Sequence, residues 1–162
     1  MPKPKAFVSI QFDDKHYYKP KFPKNYPFSF EVPKYSELER IHNHLNLNFK
    51  KYKAKLHISY FSLKNDVKTH TENSRRLAFK HTNKANSISE IIYQNDERNV
   101  YGVKFDFDGS TATSTQFFLT DSSNHFFRGA LYFNTQKSDS LAIIEEYLKV
   151  DVTRIIETFC WK

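Results

Sequence analysis

The sequence predicts a single α+β domain, an antiparallel sheet with a long C-terminal helix packed on it. Three observations carry that prediction. Between Ile88 and Asn134, apolar and polar residues alternate in closely linked runs, the two-residue period of half-buried strands. After Asn134 the period lengthens to 3.6, and Leu141, Ile144, Leu148, Val152, Ile155 and Phe159 recur at intervals of three and four. The chain of 162 residues is 17% aromatic, with 16 Phe and 10 Tyr, enough to fill one core without disulfide or metal.

The elements follow in chain order. Residues 1–33 form an extended, Pro-rich N-terminal part of the one domain, 1–162, and hold all 6 prolines. Proline removes a ladder donor and biases its predecessor toward extended geometry. Short strands are expected near Phe7 to Phe12 and Phe28 to Val32, where Phe28, Phe30 and Val32 alternate with Ser29 and Glu31. Ser36 to Arg40 reads as a loop or one helical turn. Leu45, Leu47 and Phe49 share a face of one strand, and Leu56, Ile58 and Tyr60 share a face of the next, with Lys50 to Lys53 connecting them. A helix is expected from about Asp66 to Lys80. Asn65 or Asp66 caps its start, Arg75, Arg76 and Lys80 suit its C-terminus, and its stripe is Val67, Ser74, Leu77, Ala78 and His81.

Ile88 to Tyr93 reads as a strand. Tyr101, Val103, Phe105 and Phe107 then alternate with Gly102, Lys104 and Asp106, and Asp108-Gly109 is a tight-hairpin dipeptide. Thr111 to Thr120 returns, Asp121 to Asn124 turns, and His125 to Asn134 closes a three-strand antiparallel meander. Ser138 or Asp139 caps a helix of about six turns, its stripe widened by Ile143, Tyr147 and Ile156.

Chemistry-bearing residues are abundant but do not assemble into a motif. The charge is +7, yet the lysines are dispersed and no nucleic-acid module accompanies them, so solvated surface is the reading and no nucleic acid is expected. Only 3 Gly are present, and no phosphate-cradling loop can be found. No run of 18 apolar residues occurs. The lone Cys160 cannot bridge internally and reads as a small buried hydrophobe. His42 and His44 lie two apart, but His57, His70, His81 and His125 are scattered and supply no third ligand, so no metal or cofactor site is assigned. Asp121-Ser122 sits in a turn with no nucleophile elbow around it. The carboxylate pairs Asp13-Asp14, Asp106 with Asp108, and Glu145-Glu146 read as strand-edge, turn and exposed helix positions. No catalytic residue is assigned, and the chain is expected not to be an enzyme. A rival reading is a module binding a small molecule or cell-wall glycan, with Tyr17, Tyr18 and Tyr26 as stacking surfaces. An enzyme would need His57, His81 or His125 beside a carboxylate.

Several blocks resemble the gliding-motility lipoprotein GldD family of Bacteroidetes. They include Pro27-Phe28-Ser29-Phe30-Glu31-Val32-Pro33, Lys55-Leu56-His57-Ile58-Ser59-Tyr60 and Ser74-Arg75-Arg76-Leu77-Ala78-Phe79-Lys80-His81-Thr82. The most specific is Phe126-Phe127-Arg128-Gly129-Ala130-Leu131-Tyr132-Phe133-Asn134, followed by Ile155-Ile156-Glu157-Thr158-Phe159-Cys160-Trp161-Lys162. The resemblance implies a periplasm-facing, lipid-anchored envelope protein. It would serve gliding and the linked type IX secretion machinery as a non-enzymatic accessory or scaffold that contacts other envelope proteins. The acylated cysteine is expected upstream of Met1, and the sheet-and-helix arrangement is expected to be similar to a PsbP-like sandwich. The resemblance implies that family members often carry cysteines near the positions of Asn25 or Tyr26 and of Asn43, with a disulfide expected in some of them. This sequence has none there, so their disulfide is not carried over, and Cys160 stands where an acidic or polar residue is more usual.

Overall fold

The aromatic-rich runs pair into one seven-stranded antiparallel sheet with a helix on each face. The computed structural model describes residues 10–42, 44–80, 85–109, 113–134 and 139–162. The N-terminal part contributes three two-residue strands, β1 (Tyr17–Tyr18), β2 (Phe28–Ser29) and β3 (Val32–Pro33). Strands β4 (Glu37–Ile41), β5 (His44–Phe49) and β6 (Ala54–Ser62) follow, and then helix α1 (Val67–Phe79). Next come β7 (Ala85–Asn95), β8 (Val100–Gly109), β9 (Thr113–Thr120) and β10 (His125–Phe133). Helix α2 (Asp139–Thr158) and β11 (Cys160–Trp161) end the chain.

The sheet order is β4-β5-β6-β10-β9-β8-β7, two meanders joined where β10 lies antiparallel to β6, with Gly129 opposite Ile58. Alternation along β9 assigns the faces. Phe117 and Leu119 point to the α2 side, where they join Leu45, Leu47, Leu56, Phe127, Leu131, Leu148, Val152 and Ile155. Phe118 points the other way, into a smaller cluster with Val103, Phe105, Phe107, Phe126 and Ala78 of α1. The N-terminal part wraps the α2 layer: β1 pairs with β3, and β2 pairs with β11. The Phe28 and Phe30 rings stack on Phe159.

Several expectations need correction. Ser36 to Arg40 contributes to a strand rather than a loop or helical turn: β4 pairs with β5, Leu38 opposite Leu47. As an edge strand it can leave Glu37 and Arg40 in water, and pairing overrides their weak strand preference. Asp108-Gly109 lies within β8 rather than at a hairpin turn, because Gly109 still pairs with Ala85 of β7 and the β8–β9 register sets Asp106 opposite Thr115. Residues 10–12 form no strand, and the rest of the strand expected from Phe7 to Phe12, like His81 and Ser138, lies outside the described residues. Leu77 and Ile143 are exposed rather than part of their helices' buried stripes, while Glu145, read as exposed, is buried. Ser74 and Ala78 form the buried line of α1, as their four-residue spacing dictates.

Candidate functional site

Two acidic residues fall on the buried face of α2, Glu145 and, fully enclosed, Asp151. Asp151 falls three residues after Leu148 and four before Ile155, so helical spacing turns it inward, and its side chain is fully buried. A buried carboxylate is costly without donors. The N-terminal part supplies them. Lys15 Nζ donates to Oδ1 at 2.9 Å, the Tyr17 hydroxyl donates to the same oxygen at 2.6 Å, and the Tyr35 hydroxyl donates to Oδ2. The ammonium of Lys15 also donates to the Tyr35 hydroxyl at 2.8 Å and to the Tyr147 carbonyl at 3.0 Å, and it lies 3.4 Å from the Tyr147 ring centroid.

A second ring of contacts holds this centre. Phe12 stacks on Tyr147 at 4.3 Å, the Tyr52 hydroxyl donates to Asp13 Oδ2 at 2.7 Å, and the Tyr147 hydroxyl donates to the Asp13 carbonyl. Burial pushes the Lys15 ammonium below its ordinary pKa against the opposing pull of Asp151. Burial, then the bond to Asp151, push the Tyr17 and Tyr35 phenols well above theirs. The phenol protons are therefore held in place, and the cluster serves as a clamp fastening residues 12–17 and Tyr35 to α2. The sequence held one signal of it, an acid on the apolar stripe; the partners, 116 to 136 positions away, carried none.

The other polar assembly lies on the opposite face of the sheet. Helix α1 packs mainly on the β8–β10 half. The remaining half carries an open recess of about 570 Å³ lined by Glu39, Asn48, Lys53, Lys55, His57 and Tyr132, among others. Asn48 Nδ2 donates to Glu39, while its buried Oδ1 has no partner. His57 meets the Tyr132 ring edge-on at 5.2 Å. Burial, then the charges of Lys55 and His44, hold its imidazole below the ordinary value, so it is neutral at pH 7. Lysine ammoniums, the Glu39 carboxylate, an amide, a neutral imidazole and a phenol ring give the recess donors and acceptors suited to hydroxyl groups.

The other residues singled out in the sequence are dispersed. His42 and His44 flank the β4–β5 turn, both exposed, and among the described residues no group of three or more His, Cys, Asp or Glu side chains can hold a metal ion. His125 stacks on Trp161 at 5.0 Å and shares a 2.6 Å hydrogen bond with the Tyr60 hydroxyl. His70 pairs with Asp66 at 3.2 Å under the Phe61 ring. Asp106 pairs with Lys104 at 3.4 Å, and Asp14, Asp108 and Glu146 are exposed. Asp121 Oδ1 accepts from the backbone N–H groups of Ser123, Asn124 and His125, the role expected of a turn residue. Tyr17, Tyr18 and Tyr26 do not form one stacking surface: Tyr26 is in the core, Tyr17 is in the clamp, and Tyr18 is exposed. Cys160 is a free, half-buried thiol in β11.

Fold and polar groups together define an antiparallel α+β domain whose buried Lys15–Asp151 pair fastens its own segments. Among the described residues, no helix is long and apolar enough to cross a membrane. The family model described as gliding motility lipoprotein GldD matches residues 1–161, and the chain belongs to that family. Membership ties it to gliding motility and to the cell envelope. Curated proteins give no match.

Proposed function

We propose that the chain is a non-enzymatic accessory or scaffold component of gliding motility and of the linked type IX secretion machinery. It faces the periplasm from an N-terminal lipid anchor and works by contact with other envelope proteins. The observation that carries this reading is an apolar patch on α1. Leu77 and Phe79 are 41% and 43% exposed and are flanked by the exposed Arg76 and Lys80. One side of the Phe79 ring meets the buried Phe105 ring edge-on at 6.1 Å, and the exposed parts of the two side chains form an apolar centre rimmed by cations, the anatomy of a protein interface. The test is affinity capture of the full-length, lipid-anchored protein from cells, in parallel with a Leu77→Lys/Phe79→Asp variant. Gliding or secretion components are expected with the first and lost with the second. Recovery of none of them by the unaltered protein would overturn the proposal.

A second reading, a periplasmic small-molecule or cell-wall-glycan binding module, is favoured by the recess beside His57 and Tyr132. Soluble glycan fragments should then shift the NMR signals of Lys55, His57 and Tyr132. No shift at saturating glycan would remove this reading.

A further inference from the structure

The two edges of the seven-stranded sheet are treated differently. At one edge β4 is five residues long and carries Glu37, Glu39 and Arg40, charges that discourage another strand from pairing there. The other edge, β7, is 11 residues long and contains neither proline nor lysine. Its single charge, Glu90, is tied to Arg75 of α1 at 3.1 Å. Ile91 and Ile92 are 40% and 78% exposed, and Ile92 is the most exposed large apolar residue among those described.

We infer that β7 pairs with β7 of a second copy of this chain, antiparallel about a two-fold axis at Ile92, joining two sheets into one. In an antiparallel ladder the N–H and C=O of alternate residues point to the same side. Because β7 bonds β8 on one side only, every second residue directs its groups outward. Two copies pair only where outward residues face outward residues, so opposed residues must be an even number of positions apart. That condition also keeps each face of the joined sheet continuous.

Charge and side-chain type select among the allowed registers. A two-fold at Glu90 would set two carboxylates against each other, and one at Ile91 would set Glu90 against the partner's Ile92. With the axis at Ile92, that side chain faces the partner's Ile92, Ile91 faces the partner's Tyr93, and Glu90 faces the partner's Gln94. Branched–aromatic and carboxylate–amide pairs of this kind stabilise cross-strand contacts. The pairing is isologous and closes at two copies. The ladder from Ser89 to Asn95 is short, so the dimer is expected to be weak, with a dissociation constant on the order of 10 μM.

The inference rests on β7 alone and is tested on the purified protein, so its outcome is independent of any envelope partner. Sedimentation velocity over a concentration series should show reversible dimerisation. Ile92→Lys places two cations at the axis and should weaken it about tenfold or more. Because Ile92 projects into water, the variant should melt as the parent does. A second variant fixes the register. In a Cys160→Ser background, Ile92→Cys should form an interchain disulfide under mild oxidation, because directly opposed residues fall within bridging distance. Ser89→Cys, which would face the partner's Asn95, should not. A protein that stays monomeric up to about 1 mM overturns the inference. So does dimerisation unaffected by Ile92→Lys, or crosslinking of S89C in preference to I92C.

Discussion

Removing the carboxylate of Asp151 tests the clamp most directly. In Asp151→Leu the helix keeps a side chain of similar bulk at a fully buried position, but three donors lose their acceptor. Lys15 loses its counter-ion and retains the Tyr35 hydroxyl, the Tyr147 carbonyl and the Tyr35 and Tyr147 rings. Breaking a buried ion pair from one side costs about 3–5 kcal/mol, because the remaining charge is left without compensation. A phenol deprived of its partner adds about 1–3 kcal/mol where water cannot reach it. The Lys15 side chain is 23% exposed, so some of its lost stabilisation returns from solvent. About 3–5 kcal/mol in total is therefore expected, a large share of the roughly 5–15 kcal/mol that holds a domain together. Urea denaturation followed by circular dichroism measures it. The double variant Lys15→Met/Asp151→Leu replaces the pair with apolar groups and should recover most of the loss. A single variant costing under about 1 kcal/mol would refute the reasoning. So would a double variant as unstable as the sum of both single changes, since coupling between the two groups is what the clamp asserts.

Two further outcomes follow from particular contacts. A Cβ at Gly129 would lie 2.5 Å from the Phe117 ring, so Gly129→Val should lower stability by about 1–3 kcal/mol, and adding Phe117→Leu should recover part of it. Burial tends to raise the Asp121 pKa, but the N–H bonds from His125, Asn124 and Ser123 outweigh it and hold the carboxyl below its ordinary value. Its stabilising contribution is therefore present above the unfolded pKa of about 3.9 and is lost as pH falls through the folded value. Asp121→Ala should cost about 1–3 kcal/mol at neutral pH, and melting temperatures of parent and variant should converge in acid.

The local periods were legible in the sequence, and so were the elements built on them. Two-residue alternation marked β5, β6 and β8 to β10, and the 3.6 period marked α2, because burying one face of a strand or helix leaves a repeating trace along the chain. The blocks in the C-terminal half, mostly explained by core packing, also carried the family resemblance that the family match supports. Tertiary structure decided what no local period encodes. Pairing β6 with β10 joins segments whose partners are 63 or more positions apart, and it turned two meanders into one sheet. Pairing with β5 made β4 a strand against its composition, and β7 is an edge because it bonds β8 alone. Asp151 shows the division within one residue. Its spacing says that it faces inward, but only the fold brings Lys15, Tyr17 and Tyr35 to it, because a buried charge recruits donors from wherever the chain returns in space.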